Sequence, residues 1–315
     1  MKCLIIQPIH AVGTARLQAA GITPLICPAP DMETAARLIP GCVAVITRDA
    51  GLDAAAFAAG DALRVVSVHG AGHDAVDKAA AAQGRVLVTT APGTNAQSVA
   101  ELAVGLALAV ARRIPAADHA MRAGDTGFRQ SARFIELAGK TALIVGWGSI
   151  GRAVGTILRH AFAMHVLVHS PRAPETGDFP RVALHEGLAQ ADLVSLHTPL
   201  RPETRNLIGT DALAAMRPGA ILVNLGRAGL VDEDALAEAL SQGRLGGAGL
   251  DLCSPGAPQG PLAAFPSVVF TPHLGGTTEE ALRHTAEAAA ANVIEALQGR
   301  LPQTAINPEV WPIAR

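Results

Sequence analysis

Short apolar runs recur along the chain, each followed by a longer alanine-rich stretch in which apolar residues return every three or four positions. The runs at 3–6, 43–47, 65–68, 86–89, 142–145, 165–168, 193–196, 221–224 and 268–270 are predicted strands. They are continuously apolar rather than alternating, as expected for strands covered on both faces by helices. Strands and helices taking turns along the chain predict an α/β architecture with parallel sheets. In the stretch 95–111, Val99, Leu102, Ala103, Leu106 and Val110 fall on one helical face, predicting a long helix that bridges two domains. A last helix is expected from about Thr285, with an apolar face that returns to the first domain and makes it discontinuous.

The run 142–145 leads into Gly146-x-Gly148-x-x-Gly151 and a helix beginning near Ile150. Glycines placed where a buried strand must become a helix point to a dinucleotide site. The first permits the tight turn, the second lets backbone approach a pyrophosphate, and the third lets helix and strand pack closely. The helix N-terminus then faces the anion with its unpaired N–H groups.

Composition narrows the partners. At 315 residues the chain has room for two cores. No apolar run reaches the roughly 18 residues needed to cross a bilayer. The start, MKCLIIQPIH, holds too short an apolar segment for a secretion signal, so a cytoplasmic protein is expected. A net charge of −2 and the absence of tyrosine give no reason to expect nucleic acid. Cys3, Cys27, Cys42 and Cys253 are scattered without a CxxC pair, so buried or incidental thiols are expected and no metal site.

Three further segments carry candidate chemistry. In SVHGAGHD the amides near Ala71 and Gly72 follow a strand and can cradle a carboxylate as a backbone nest, or form an ordinary strand-to-helix turn. In NLGRAGLVD, Arg227 follows the strand ending at Asn224, where an open α/β sheet binds its ligands. Its fork suits a carboxylate. In FTPHLGG, His273 also follows a strand, and imidazole passes protons near neutral pH. Arg48, after the strand ending at Thr47, faces either solvent or a distal anion of the substrate.

Together with NAQSVAELAVGLALAVAR, SLHTPLRPETRNLIG, MRPGAILVNLGRAGLVDEDAL and GAGLDL, these segments resemble the D-isomer-specific 2-hydroxyacid dehydrogenase family over nearly the whole chain. The resemblance implies two Rossmann-like, doubly wound parallel-sheet domains. A discontinuous, flavodoxin-like substrate domain would take 1–98 and 286–315, with an NAD(P)-binding domain of 99–285 inserted. It further implies a homodimer, Arg227 binding the carboxylate and polarising the keto group, His273 as proton donor, and Ala71 and Gly72 at the carboxylate's other side. By the same resemblance Asp251 meets the nicotinamide carboxamide, and Ser149, Ile150, Leu225, Gly226 and Gly275 line the cofactor beside the three glycines.

Two departures from the family pattern carry information. The aspartate that usually grips the ribose 2′-hydroxyl is replaced by His169, with Ser170 and Arg172 following. Without that carboxylate a 2′-phosphate is not repelled, and Arg172 offers it a charged fork, so NADP is expected in preference to NAD. Gly256 stands where the family has a glutamate paired with the catalytic histidine, and no Asp or Glu lies between Leu252 and Thr278. That glutamate favours the imidazolium, so reduction is expected to decline from lower pH than in glutamate-bearing relatives. The expected activity is reduction of a small 2-ketoacid, of hydroxypyruvate or glyoxylate type, with NADPH. The alternatives are a phosphoglycerate dehydrogenase-like enzyme on a larger or phosphorylated 2-hydroxy acid, and a weakly catalytic dinucleotide sensor like the family's corepressor.

Overall fold

The computed structural model describes residues 1–312; residues 313–315, the end of the expected substrate domain, lie outside them. The chain divides into two compact units, Met1–Asn95 with Thr277–Arg315, and Ala96–Gly276. The sequence places these divisions at 98/99 and 285/286. The second differs because the last helix spans Glu279–Leu297, beginning well before Thr285, with Thr278 as its cap.

In the first unit, β1 (Lys2–Ile5), β2 (Thr23–Ile26), β3 (Ala44–Thr47), β4 (Val65–Val68) and β5 (Leu87–Thr89) form one parallel sheet in the order β2-β1-β3-β4-β5. This is the flavodoxin-like doubly wound order. Neighbouring residues on a strand feed opposite cores. Leu4, Val45 and Val66 face Ala35, Phe57 and Ala81. Ile5, Ile46 and Val65 face Leu17, Ala289, Ala290 and Val293. The alanines let the helix Glu279–Leu297 lie close to its neighbour Ala11–Ala19: a Cβ on Gly13 would stand 3.0 Å from that of Ala286.

In the second unit, β6 (Thr141–Val145), β7 (His165–His169), β8 (Leu193–Leu196), β9 (Ile221–Asn224), β10 (Gly247–Leu250) and β11 (Val268–Phe270) are all parallel, in the order β11-β10-β9-β8-β6-β7. One face carries Ala142, Ile144 and Val223 against the helices Ala96–Ala111 and Ser149–Phe162; the other carries Leu143, Val145 and Leu222. Both sheets are thus doubly wound.

Two strands, β2 and β10, are absent from the sequence-predicted set. β2 is a partly exposed edge strand containing Pro24, which costs nothing where no partner needs its N–H. β10 reads GAGL and has low strand propensity, yet lies buried inside the sheet. Its glycines answer to packing: a Cβ on Gly249 would meet Leu106 Cβ at 2.9 Å, and one on Gly247 would meet Val110 Cγ1 at 2.7 Å.

Candidate active site

The second unit reverses direction at β6. From there the chain goes out to β7 and returns to β8 on the opposite side, so the carboxyl ends of β6 and β8 form the switch point where such sheets bind ligands. Gly146 turns there with φ +99° and packs so tightly that a Cβ would lie 2.6 Å from the His197 carbonyl oxygen. A Cβ on Gly151 would stand 2.0 Å from Gly146 O. Gly148 is different. It is exposed, caps the helix Ser149–Phe162 without a side-chain bond, and a Cβ there would enter open space.

At five other helices the cap is self-supplied: Asp31, Asp53, Asp77, Asp232 and Thr278 each accept the N–H three residues on. At Ser149–Phe162 the first-turn donors are left to face outward beside Ser149 and Ile150. Close glycine packing behind, open space and uncapped N–H groups in front fit a dinucleotide pyrophosphate.

The remaining candidates are strung along the same sheet edge. Arg227 follows β9, Asp251 follows β10 and His273 follows β11, three adjacent strands spaced about 4.8 Å apart. On the far side of the glycine turn, Ser170 and Arg172 follow β7. The candidates thus follow five of the six strands, along a sheet edge about 24 Å long.

Asn224, 1% exposed, builds the Arg227 loop. Its amide nitrogen donates to the carbonyls of Arg227 and Leu252, and its oxygen accepts the Gly226 N–H. Leu225 and Gly226 are buried beneath the half-buried Arg227, whose guanidinium donates to Gly226 O at 2.8 Å.

Asp251 builds the His273 loop. Oδ1 accepts from Thr271 Oγ1 at 2.6 Å and from the Leu274 N–H at 2.7 Å, while Oδ2 accepts the Gly275 N–H at 3.0 Å. The Gly275 carbonyl in turn accepts from Ser98 Oγ at 2.6 Å. His273 is exposed at the left-handed φ of +55°, a conformation a non-glycine residue keeps only where its surroundings fix it. With Cys253, Ser254 and Phe270 it lines a cleft of about 400 Å³.

Gly256 is exposed with open space where its Cβ would stand, so no carboxylate is offered from that position. Glu233, at the start of the helix Glu233–Ser241, reaches that loop, but its carboxylate accepts both the Ser254 N–H and the Ser254 hydroxyl.

At the other end, Ser170 Oγ accepts the Trp147 N–H at 3.2 Å, fastening the loop after β7 to the glycine turn. Arg172 Nη2 meets Glu203 Oε1 at 2.8 Å. At the switch point itself, Ser195 Oγ and His197 Nε2 are 2.8 Å apart. His197 Nδ1 is inaccessible although the residue as a whole keeps some exposure, and burial pushes the imidazole down to about 3.

In the first unit, Ala71 and Gly72 are exposed after β4, and no acceptor among the described residues takes their amide N–H groups. Arg48 follows β3, with its guanidinium donating to Pro8 O at 3.1 Å and its backbone N–H to Gln7 Oε1 at 3.1 Å. Beside it His69 is buried, and desolvation, then the Arg48 charge, push its imidazole down to about 4. Sequence reading missed Asn224, Glu203, Ser98 and His69. Only Asn224, at a strand end three residues before Arg227, carried a local signal.

Residues 104–275 match the D-isomer specific 2-hydroxyacid dehydrogenase, NAD binding domain, family. A D-3-phosphoglycerate dehydrogenase of Mycobacterium bovis is 40% identical over 285 residues, covering 88% of this chain and 53% of its own length. This chain thus spans about half the length of the phosphoglycerate dehydrogenases it matches. A glyoxylate reductase of Aeropyrum pernix is 38% identical over 261 residues, 79% of this chain and 77% of that protein. Among solved structures, an NADPH-dependent glyoxylate/hydroxypyruvate reductase from Sinorhizobium meliloti superposes with a TM-score of 0.82 at 26% identity, covering 97% of this chain and 96% of the other. With a family match over more than half its length and a relative of this similarity, the chain belongs to the D-isomer-specific 2-hydroxyacid dehydrogenase family.

Proposed function

We propose that this protein is an NADPH-dependent reductase of small 2-ketoacids, of hydroxypyruvate or glyoxylate type, forming D-2-hydroxy acids. The observation that carries the reading is the succession of Arg227, Asp251 and His273 on adjacent strand ends of the sheet whose glycine turn fits a dinucleotide. Arg227 forks the substrate carboxylate and draws electron density toward the keto oxygen. His273 gives the proton from its ring nitrogen to that oxygen as negative charge develops there. When bound, the reduced nicotinamide supplies the hydride to the keto carbon. Asp251 holds the His273 loop and keeps acceptor capacity on Oδ2 for the carboxamide.

The preference for NADPH rests on His169 in place of an acidic residue and on Ser170 and Arg172 beside the turn. The Sinorhizobium meliloti neighbour, named as NADPH-dependent, supports it. Assaying 2-ketoacids with both coenzymes tests the proposal. A higher kcat/KM with NADH, or activity undiminished by Arg227→Ala or His273→Ala, overturns it.

A second reading, a phosphoglycerate dehydrogenase-like enzyme, is favoured by Arg48 at the switch point of the first sheet, between β1 and β3. It expects the phosphorylated ketoacid to outperform hydroxypyruvate, and Arg48→Ala to remove that advantage.

A further inference from the structure

The strands β7 and β8 flank β6 on either side, so the loops that follow them stand on opposite sides of the glycine turn. Arg172 belongs to the first loop and Glu203 to the second, and their 2.8 Å ion pair crosses the sheet edge between the two. Both ends are held. Ser170 is bonded to the Trp147 N–H of the turn. Glu203 sits in the short turn Pro202–Thr204, where Thr204 Oγ1 accepts the Arg201 N–H and donates to Pro199 O. The Glu203 carboxyl is kept below its usual range by its own backbone N–H and then by Arg172, so it is an anion at neutral pH.

The guanidinium assigned to a 2′-phosphate therefore already has an anionic partner. A phosphate arriving at Arg172 meets that carboxylate as a competitor for the Nη2 donor and as a like charge close by. A cofactor with a plain 2′-hydroxyl meets no such competition. We propose that Glu203 is a specificity-determining residue of the dinucleotide site, competing with the 2′-phosphate for Arg172 and so limiting the margin by which NADPH is preferred. This rests on the NADPH reading above.

Calorimetric titration of the intact protein with adenosine 2′,5′-bisphosphate and with adenosine 5′-monophosphate tests this without turnover. Glu203→Gln is expected to tighten the bisphosphate about two- to fivefold, the range of an exposed ion pair, and to leave the monophosphate nearly unchanged. NADPH and NADH should follow the same pattern. Both side chains are well exposed, at 60% and 61%, so the variant should fold, with an unchanged melting temperature as the check. In an Arg172→Ala background the effect of Glu203→Gln should vanish.

Equal changes for both nucleotides, or an effect that persists without Arg172, overturn the proposal. If Arg172→Ala selectively weakens the bisphosphate while Glu203→Gln does nothing selective, the role of Glu203 fails and the NADPH reading stands. If Arg172→Ala is itself unselective, both fail.

Discussion

The side-chain amide of Asn224 holds the Arg227 carbonyl at 2.9 Å and, from the same nitrogen, the Leu252 carbonyl at 2.9 Å. One buried residue thereby fixes the loop carrying the arginine against the strand end carrying Asp251. Asp251 in turn fixes the loop of His273. Replacing Asn224 by Ala strands two carbonyls and the Gly226 N–H, a loss of about 2–3 kcal/mol. Displacing Arg227 by an ångström should lower kcat/KM about 100-fold. Urea unfolding and steady-state kinetics on Asn224→Ala separate the two effects. Full activity in a destabilised protein would make Asn224 a purely structural residue.

The glycines of the turn have separable tasks. Gly151→Ala places a methyl against Gly146 O and should destabilise the second unit by several kcal/mol, lowering the melting temperature. Gly148→Ala meets nothing in the protein, so its melting temperature should hold. Its methyl would project where the pyrophosphate approaches, and NADPH binding should weaken at least about tenfold. Titrating both variants with NADPH checks this, and unimpaired binding by Gly148→Ala would remove the pyrophosphate from that position.

Most of the fold is legible because valine and isoleucine runs such as 65–68 and 142–145 state both strand and burial at once. β10 is not, because its sequence obeys the helix Ala96–Ala111 lying across it rather than strand propensity. The same division runs through the site. Arg227 and His273 stand out because each follows a strand directly. Glu203 does not, because its meeting with Arg172 depends on the order in which β7, β6 and β8 lie in the sheet.

Gly249 offers a direct measure of that close crossing. Gly249→Ala should cost about 1–3 kcal/mol through overpacking against Leu106. Leu106→Ala alone should cost about 2–5 kcal/mol through the cavity it leaves. In the double variant the new methyl enters the vacated space, so the summed loss should exceed the measured one. Strict additivity in this cycle would show that the two residues do not press on each other.

Two buried imidazoles predict the acid side of the stability profile. Burial, and for His69 also the Arg48 charge, hold His69 down to about 4, and burial holds His197 down to about 3. In the unfolded chain both return to about 6.5. Between those folded values and about pH 6.5 the unfolded chain binds more protons, so stability increases with pH across that window. It is fully present above about pH 7 and is lost as the pH falls toward 4, by on the order of 3 kcal/mol for His69 alone. Urea unfolding at pH steps from 7.5 to 4.5 should show that decline. His69→Phe removes one titrating ring together with a buried Nε2 that has no partner among the described residues, so its profile should be visibly flatter. A wild-type profile level over this range, or an equally steep one for the variant, would mean that the His69 ring charges in the folded protein without cost.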